Sequence, residues 1–271
     1  MAMAMASSSS SSYFIIIIIM GFWAISGLDA SSSSSSAHQN NVQFNFDSFL
    51  LTDVAYFNFT QYSNIQFNAL QVTFDTGSHD VTILNATGQI TYTTPLHLWD
   101  TQYNYTASFN TSFFITMGPT QGCGKNISGG GMAFILSSHP AHDVPNSYGA
   151  GLGIMDPTSP TNDSHFVAIE FDTFYDPGID PYNANHVGID VDTVKSVVTQ
   201  DLDAHNVTLN KLVFNAGTNT CVWIDYDGHA KTFDIFLANQ GSDSKIRKPE
   251  VPVISKYHLK LDQILPENVY L

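Results

Sequence analysis

An antiparallel β-sandwich is the fold class this sequence predicts, and three observations predict it. Apolar and polar residues alternate with a period of two through stretches rich in Val, Ile, Phe, Tyr and Thr, the pattern of strands with one buried face. Stretches containing Gly, Asn, Asp and Pro separate those runs and supply turn chemistry. No segment sustains apolar residues at helical spacing, and no internal repeat is visible. A chain of 271 residues suits one large sandwich or two small domains, since all-β domains reach about 200 to 250 residues as single units. Past the serine runs no low-complexity linker divides it, which favours one domain over 42–271.

The elements follow in order from the N-terminus. "YFIIIIIMGFWAISGL", from Tyr13 to Leu28, is apolar and uncharged, and Ala30 precedes a serine run. That pattern predicts a signal peptide over 1–30, cleaved after Ala30, and a Ser-rich leader over 31–41. The preceding "MAMAMASSSSSS" has no Lys or Arg, so a signal-anchored chain is the alternative. N-x-[ST] sequons at Asn58, Asn85, Asn104, Asn110, Asn126, Asn162 and Asn206 fit an exported glycoprotein. Cys123 and Cys221 are the only cysteines. In an oxidising compartment they form a disulfide candidate whose long loop would stabilise by about 4 to 5 kcal/mol. The alternative is a buried strand thiol at Cys221 and a loop thiol at Cys123.

The strand-like runs come next: "VQFNFDSF", "TASFNTSFFITM", "HFVAIEFDTF", "HVGIDVDTVKSV" and "CVWIDYDGHAKTFDIFLA", the last interrupted by Asp227-Gly228, which predicts a tight hairpin turn. Charge limits what such a sandwich binds. Asp and Glu number 24 against 9 Lys and Arg, for a net charge of -15, which disfavours nucleic acid. Lys125 is the first basic side chain, so no polybasic segment precedes it to sit on an anionic membrane.

One stretch concentrates the acidity. In "VAIEFDTFYDPGIDPYNANHVGID", Glu170 and Asp172 lie two apart on a strand and share a face. Pro177, Gly178 and Pro181 compact the loop that follows, which folds Asp176 and Asp180 back towards them, and His186 opens the next strand. Carboxylates held this close raise one another's pKa unless cations neutralise them. An imidazole with carboxylates suits a transition metal such as Mn, and carboxylates with a backbone carbonyl suit Ca. A solvated acidic loop beside a stray histidine is the alternative reading of the same spacing.

The stretch "VAIEFDTFYDPGIDPYNANHVGIDVDTVKS" resembles the metal-binding segment of the legume lectins and of the lectin ectodomains of plant receptor kinases. "NFDSF", "ATGQITYTTPLHLWD", "ASFNTSFFI", "GGGMAFILSS", "GLGIMD", "VWIDYDG" and "ILPENV" follow the family's order and cover most of the chain after Val42. The resemblance implies an all-β jelly-roll sandwich of the legume lectin type, with Ca and Mn held at one edge. It implies Mn ligation by Glu170, Asp172, Asp180 and His186, with Ser196 acting through water. Asp172 and Asp180 would be shared with Ca, whose set Asp176 and the Phe174 carbonyl complete. It places carbohydrate contacts at Gly130, at Gly149 or Ala150, at Phe174 and at Asp176.

Two of those positions depart from the family's pattern. Gly130 stands where the family has an aspartate that accepts sugar hydroxyls, and Asp176 stands where it has asparagine. Losing a charge-assisted contact in a shallow site removes about 1.5 to 3 kcal/mol per bond. The family also continues past the segment resembling "KLDQILPENVYL" to a strand that pairs with the N-terminal one. The expectation is therefore a domain incomplete at its C-terminus, with the "FNFDSF" strand lacking its partner and no kinase domain in this chain.

The function expected is a secreted plant lectin, in the apoplast or at the cell surface, that binds glycans or glycoproteins and pairs as a homodimer through its back sheet. The alternative is a lectin-like defence, storage or inhibitor protein that has lost monosaccharide binding and takes protein or apolar ligands. An enzyme is not expected. Glu170-Phe171-Asp172 resembles the carboxylate spacing of laminarinase-like glycoside hydrolases, but Phe174 and Tyr175 stand where the acid/base would follow. "GGGMAF" lacks the Lys-Ser/Thr tail of a phosphate loop, and Ser147 sits in no nucleophile elbow.

Overall fold

Two sheets stack face to face around one core. The computed structural model describes residues 2–6, 21–26, 42–60, 62–73, 85–117, 129–159, 165–180, 183–209, 218–240 and 247–271. The seven-stranded sheet runs, in spatial order, through Val198–Asp201, His186–Val191, Phe166–Asp172, Gly131–Ser137, Ala2–Ala6, Gly88–Tyr92 and Phe57–Phe59. The six-stranded sheet runs through Ile254–His258, Thr232–Asn239, Thr218–Asp227, Ser108–Met117, Gly21–Ser26 and Gln43–Phe46. Every pairing within them is antiparallel.

The period of two decides which side chains meet between the sheets. Met132, Phe134, Val167, Ile169, Phe171, Val187 and Ile189 of the larger sheet share a core with Phe109, Phe113, Ile115, Val222, Ile224, Phe233 and Ile235 of the smaller. Phe113 bridges the layers, with its ring centroid 5.8 Å from Phe134 and 6.2 Å from Phe171. Burying side chains of this size contributes about 1.5 to 3 kcal/mol each.

Alternation does not mean exposure here. The Phe166–Asp172 strand is buried at every position, because its second face is also covered. Leu152, Ile154 and Met155 lie against Ala133, Ile135, Phe166 and Ala168, with Val194 in the same cluster and Ile179 packed on it. Gln89 ties that covering segment down, donating to the Gly153 carbonyl at 2.6 Å and accepting the His142 N–H at 3.1 Å.

Three expectations need correction. The hairpin at Asp227-Gly228 is no two-residue turn: Asp227 pairs with Thr232, so 228–231 form the loop. Asp227 Oδ1 accepts the N–H groups of His229 and Ala230 at 2.8 and 2.9 Å, which stabilises the wider loop. "HVGIDVDTVKSV" is not one strand, because it ends at Val191 and Asp192 turns left-handed at φ 53 before Val198 resumes pairing. The "FNFDSF" strand does not lack a partner, since Gly21–Ser26 lies beside Gln43–Phe46 with Gly21 opposite Phe46.

That partner comes from the segment read as a leader. Ala2–Ala6 separates Gly131–Ser137 from Gly88–Tyr92 in the larger sheet, and Gly21–Ser26 separates Ser108–Met117 from Gln43–Phe46 in the smaller. Cleavage after Ala30 would take both strands out. Among the described residues no helix is long and apolar enough to cross a membrane. Cys221 is buried on its strand, and burial pushes its thiol up to about 12, while Cys123, Asn126 and Asn162 lie outside the described residues.

Candidate metal and carbohydrate site

Adjacent strands bring the carboxylates together. Asp172 sits opposite His186 and Glu170 opposite Gly188, so the outward face carries two acids on one strand and a histidine and a glycine on the next. Ligand atoms of Glu170, Asp172 and His186 all lie within 4.8 Å of one another, and the three side chains are buried. Gly188 leaves the room for this. A Cβ there would overlap Ser196 Oγ and Glu170 Oε1.

The loop completes the cluster. Asp176 donates its N–H to Asp180 Oδ2, and Ile179 and Asp180 N–H groups donate to the Asp176 carbonyl at 3.1 and 3.0 Å. Asp172 Oδ1 accepts the Phe174 N–H at 2.6 Å. Phe174 is half-buried and its neighbour Tyr175 exposed. Ser196 donates to Glu170 and lies 2.6 Å from Asp190 Oδ1.

Electrostatics show what the cluster lacks. Burial first, then the charges of Asp180 and Glu170, hold the Asp172 carboxyl well above the usual range. Burial pushes Asp180 up to about 6 against the opposing pull of the Asp176 N–H and His186. Burial depresses the His186 imidazole, but the close Glu170 carboxylate, with the Asn183 carbonyl and Asp180 behind it, outweighs that and raises the pKa. His186 Nδ1 lies 2.7 Å from the Asn183 carbonyl, which fixes that nitrogen as the donor and turns Nε2 inward. Nε2 stands 3.4 Å from Glu170 Oε1 without a hydrogen bond of good geometry.

Asp190 belongs to this cluster and was missed. It is fully buried on the same face as His186, and burial followed by the Glu170 charge holds it well above the carboxylate range. Its signal was present in "HVGIDV", where His186, Gly188 and Asp190 are spaced by two. An inward imidazole nitrogen that no hydrogen bond satisfies among the described residues, ringed by acids short of positive charge, fits a divalent cation. Glu170, Asp172, Asp180 and His186 would hold a transition metal, and Asp176 with the Phe174 carbonyl would supply oxygens for Ca. Bound cations would supply the positive charge that keeps these carboxylates ionised.

The carbohydrate positions are distributed around this edge. The Gly130 carbonyl accepts the Thr173 N–H at 2.9 Å, and the Thr173 hydroxyl donates to the Gly129 carbonyl at 2.9 Å. Gly130 is thus tied to the end of the carboxylate strand but has no side chain to offer a ligand. Gly149, with φ 65, and Ala150 lie in a short 3-10 turn, Gly149–Gly151. The residues after that turn share a hydrophobic footing with Ile179 of the carboxylate loop.

The profile of the legume lectin domain matches residues 41–271. The chain belongs to the legume lectin family. This lectin domain is 30% identical over 232 residues to the probable L-type lectin-domain containing receptor kinase S.7 of Arabidopsis thaliana, covering 86% of this chain and 32% of that protein. It is 32% identical to agglutinin-2 of Cladrastis kentukea over 188 residues, 68% of this chain and 62% of the agglutinin. The chain therefore spans less than two thirds of either relative. Its fold matches the basic winged bean lectin solved with Tn-antigen at a TM-score of 0.61 and 28% identity, covering 84% of each chain. The matched region is the family's carbohydrate-binding lectin domain, which is not itself enzymatic; the receptor-kinase relatives extend well beyond it.

Proposed function

We propose that residues 42–271, together with the strands that 2–6 and 21–26 add to the two sheets, form an extracellular carbohydrate-binding lectin whose sugar loops rest on a paired Ca and Mn centre. The observation that carries the reading is the buried convergence of Glu170, Asp172 and His186 within 4.8 Å, with His186 Nε2 facing Glu170 but making no hydrogen bond among the described residues. Cations there hold Asp172, Asp176 and Asp180 in place, and through them the loop that presents Phe174 as a stacking face for a sugar ring. The basic winged bean lectin was solved with Tn-antigen and lectin UEA-II with galactose, which supports glycans or glycoproteins as ligands.

The test is thermal unfolding of the purified chain with chelator, with Ca and with Mn, followed by a glycan array on the metal-loaded form. A cation at a hundredfold excess over Kd contributes about 2.7 kcal/mol, so the midpoint is expected to rise by roughly 5 to 10 °C for a domain of this size. Unchanged midpoints would sink the metal reading.

Gly130 favours a second reading in which monosaccharide binding is lost and the site takes protein or apolar ligands. Restoring an acceptor separates the two. If the pocket is otherwise intact, Gly130→Asp is expected to tighten monosaccharide binding by about tenfold to a hundredfold. No gain by calorimetry would leave the glycine as one loss among several.

A further inference from the structure

Away from the carboxylate edge, the outer face of the six-stranded sheet carries a groove of about 730 Å³, lined among others by Asn110, Ser112, Trp223, Asp225, Asp234 and Lys248. The groove is open to solvent along its length, with room for a sugar to lie along its floor. Asn110 points outward near the start of the Ser108–Met117 strand and is exposed. It is directly opposite Asp225, and Ser112 is opposite Trp223, so Asn110 and the half-buried indole are diagonal neighbours within reach of a bulky group. Lys248 crosses the far side, paired with Asp225 and 4.2 Å above the Phe236 ring. The groove thus has an aromatic wall, carboxylate acceptors and an ammonium donor, and the sequon Asn110-Thr111-Ser112 opens into it.

We propose that Asn110 carries an N-linked glycan whose first sugar lies in this groove against Trp223, so that the back sheet is covered by carbohydrate and closed to a second copy of the chain. The proposal rests on the extracellular reading, since the modification occurs in the secretory pathway. In the step, a cellular transferase moves an oligosaccharide from a lipid diphosphate donor to Asn110 Nδ2. The bond from Nδ2 to the sugar's anomeric carbon forms, the bond from that carbon to the diphosphate oxygen breaks, and an amide proton is lost with the lipid diphosphate. No group is oxidised or reduced. The other exposed sequons among the described residues, Asn85, Asn104 and Asn206, lie in turns or bends, whereas Asn110 alone of these sits inside a strand beside an aromatic wall. An amphipathic sugar face buries its C–H groups on an indole while its hydroxyls meet Asp234 and Asp225.

The full chain, expressed through a plant secretory pathway, tests this by glycopeptide mass spectrometry and by native digestion with an N-glycosidase. The Asn110 peptide is expected to carry a glycan, and both Asn110→Gln and Ser112→Ala to remove it. In the folded protein its release is expected to be about tenfold slower than from Asn104 and Asn206, a protection that Trp223→Ala abolishes. Sedimentation of the glycosylated chain is expected to give a monomer. Glycans at Asn104 or Asn206 with Asn110 bare would overturn this proposal alone. So would release from Asn110 as fast as from the turns, or a dimer cross-linked through Lys248. Bare asparagines at every sequon would overturn the extracellular reading and this proposal with it.

Discussion

The His186 imidazole is held from behind by the Asn183 carbonyl at 2.7 Å, which leaves its other nitrogen facing acids that repel one another. Two predictions follow from that arrangement at the level of single residues. Asp180 has a folded pKa of about 6 against an ordinary 3.8, and burial also holds Asp172 well above the ordinary carboxylate range. A raised carboxyl stabilises the fold most fully below its unfolded pKa, and that contribution is lost as pH rises through the folded value. Metal-free protein is therefore expected to lose stability between about pH 4 and pH 6. Metal ligation needs the ionised groups, so the gain from Ca and Mn is expected to grow over the same window. Midpoints measured from pH 4 to pH 8 with chelator and with both metals should diverge, and parallel curves would exclude a cation at these acids. The second prediction concerns Gly188, whose added Cβ would overlap Glu170 and Ser196. Gly188→Ala is expected to abolish metal stabilisation while the sandwich still unfolds cooperatively; retained metal stabilisation would show that the cluster is not the site. Glu170, Asp172 and His186 were legible because spacing by two fixes a face. Asp190 carried the same signal as the last residue of the acidic segment, but its significance depends on pairing with the neighbouring strand, which spacing within one strand does not reveal.

Among the elements, the Ser108–Met117 strand shows where alternation specifies a fold and where it leaves a cost. Phe109, Phe113, Ile115 and Met117 face the core as their spacing requires, but Thr111 takes the same inward register and is 2% exposed. Its hydroxyl has no hydrogen-bond partner among the described residues. An apolar side chain of the same shape removes that unsatisfied group, so Thr111→Val is expected to stabilise by about 1 kcal/mol, a midpoint rise of roughly 2 to 4 °C. It also leaves the Asn110 sequon intact. A loss of stability would mean that the hydroxyl is bonded after all. The strands themselves were readable because inward positions are apolar on both sheets. The break after Val191 was not, because "DTVKS" continues the alternation while the chain turns at Asp192, whose Oδ1 accepts the Phe166 N–H at 2.9 Å. That tertiary bond folds Ser196 onto Glu170, and no local pattern announces it.

For the whole molecule, the distinctive feature is that both sheets are continuous only with residues from the first 30. Ala4 pairs with Ala133 on one side and Gln89 on the other, and Trp23 pairs with Thr111 and Phe44. Hydrophobicity in "YFIIIIIMGFWAISGL" reads equally as a leader and as strand material, so sequence alone could not separate an address from a structural role. Removing 1–30 would leave the Gly131–Ser137 and Ser108–Met117 strands each with an unpaired row of N–H and C=O groups. Buried rows of that kind destabilise the fold, and exposed ones template association. A chain beginning at Ser31 is therefore expected to unfold at a lower denaturant midpoint than the full chain. It is also expected to have a smaller m value, because less surface is buried, and to associate at concentrations where the full chain stays dispersed. Both chains refolded under the same conditions and followed by tryptophan fluorescence and light scattering make the comparison. Matching midpoints, m values and scattering would show that the two short strands contribute nothing to the sandwich, and that a domain starting after residue 30 is self-sufficient.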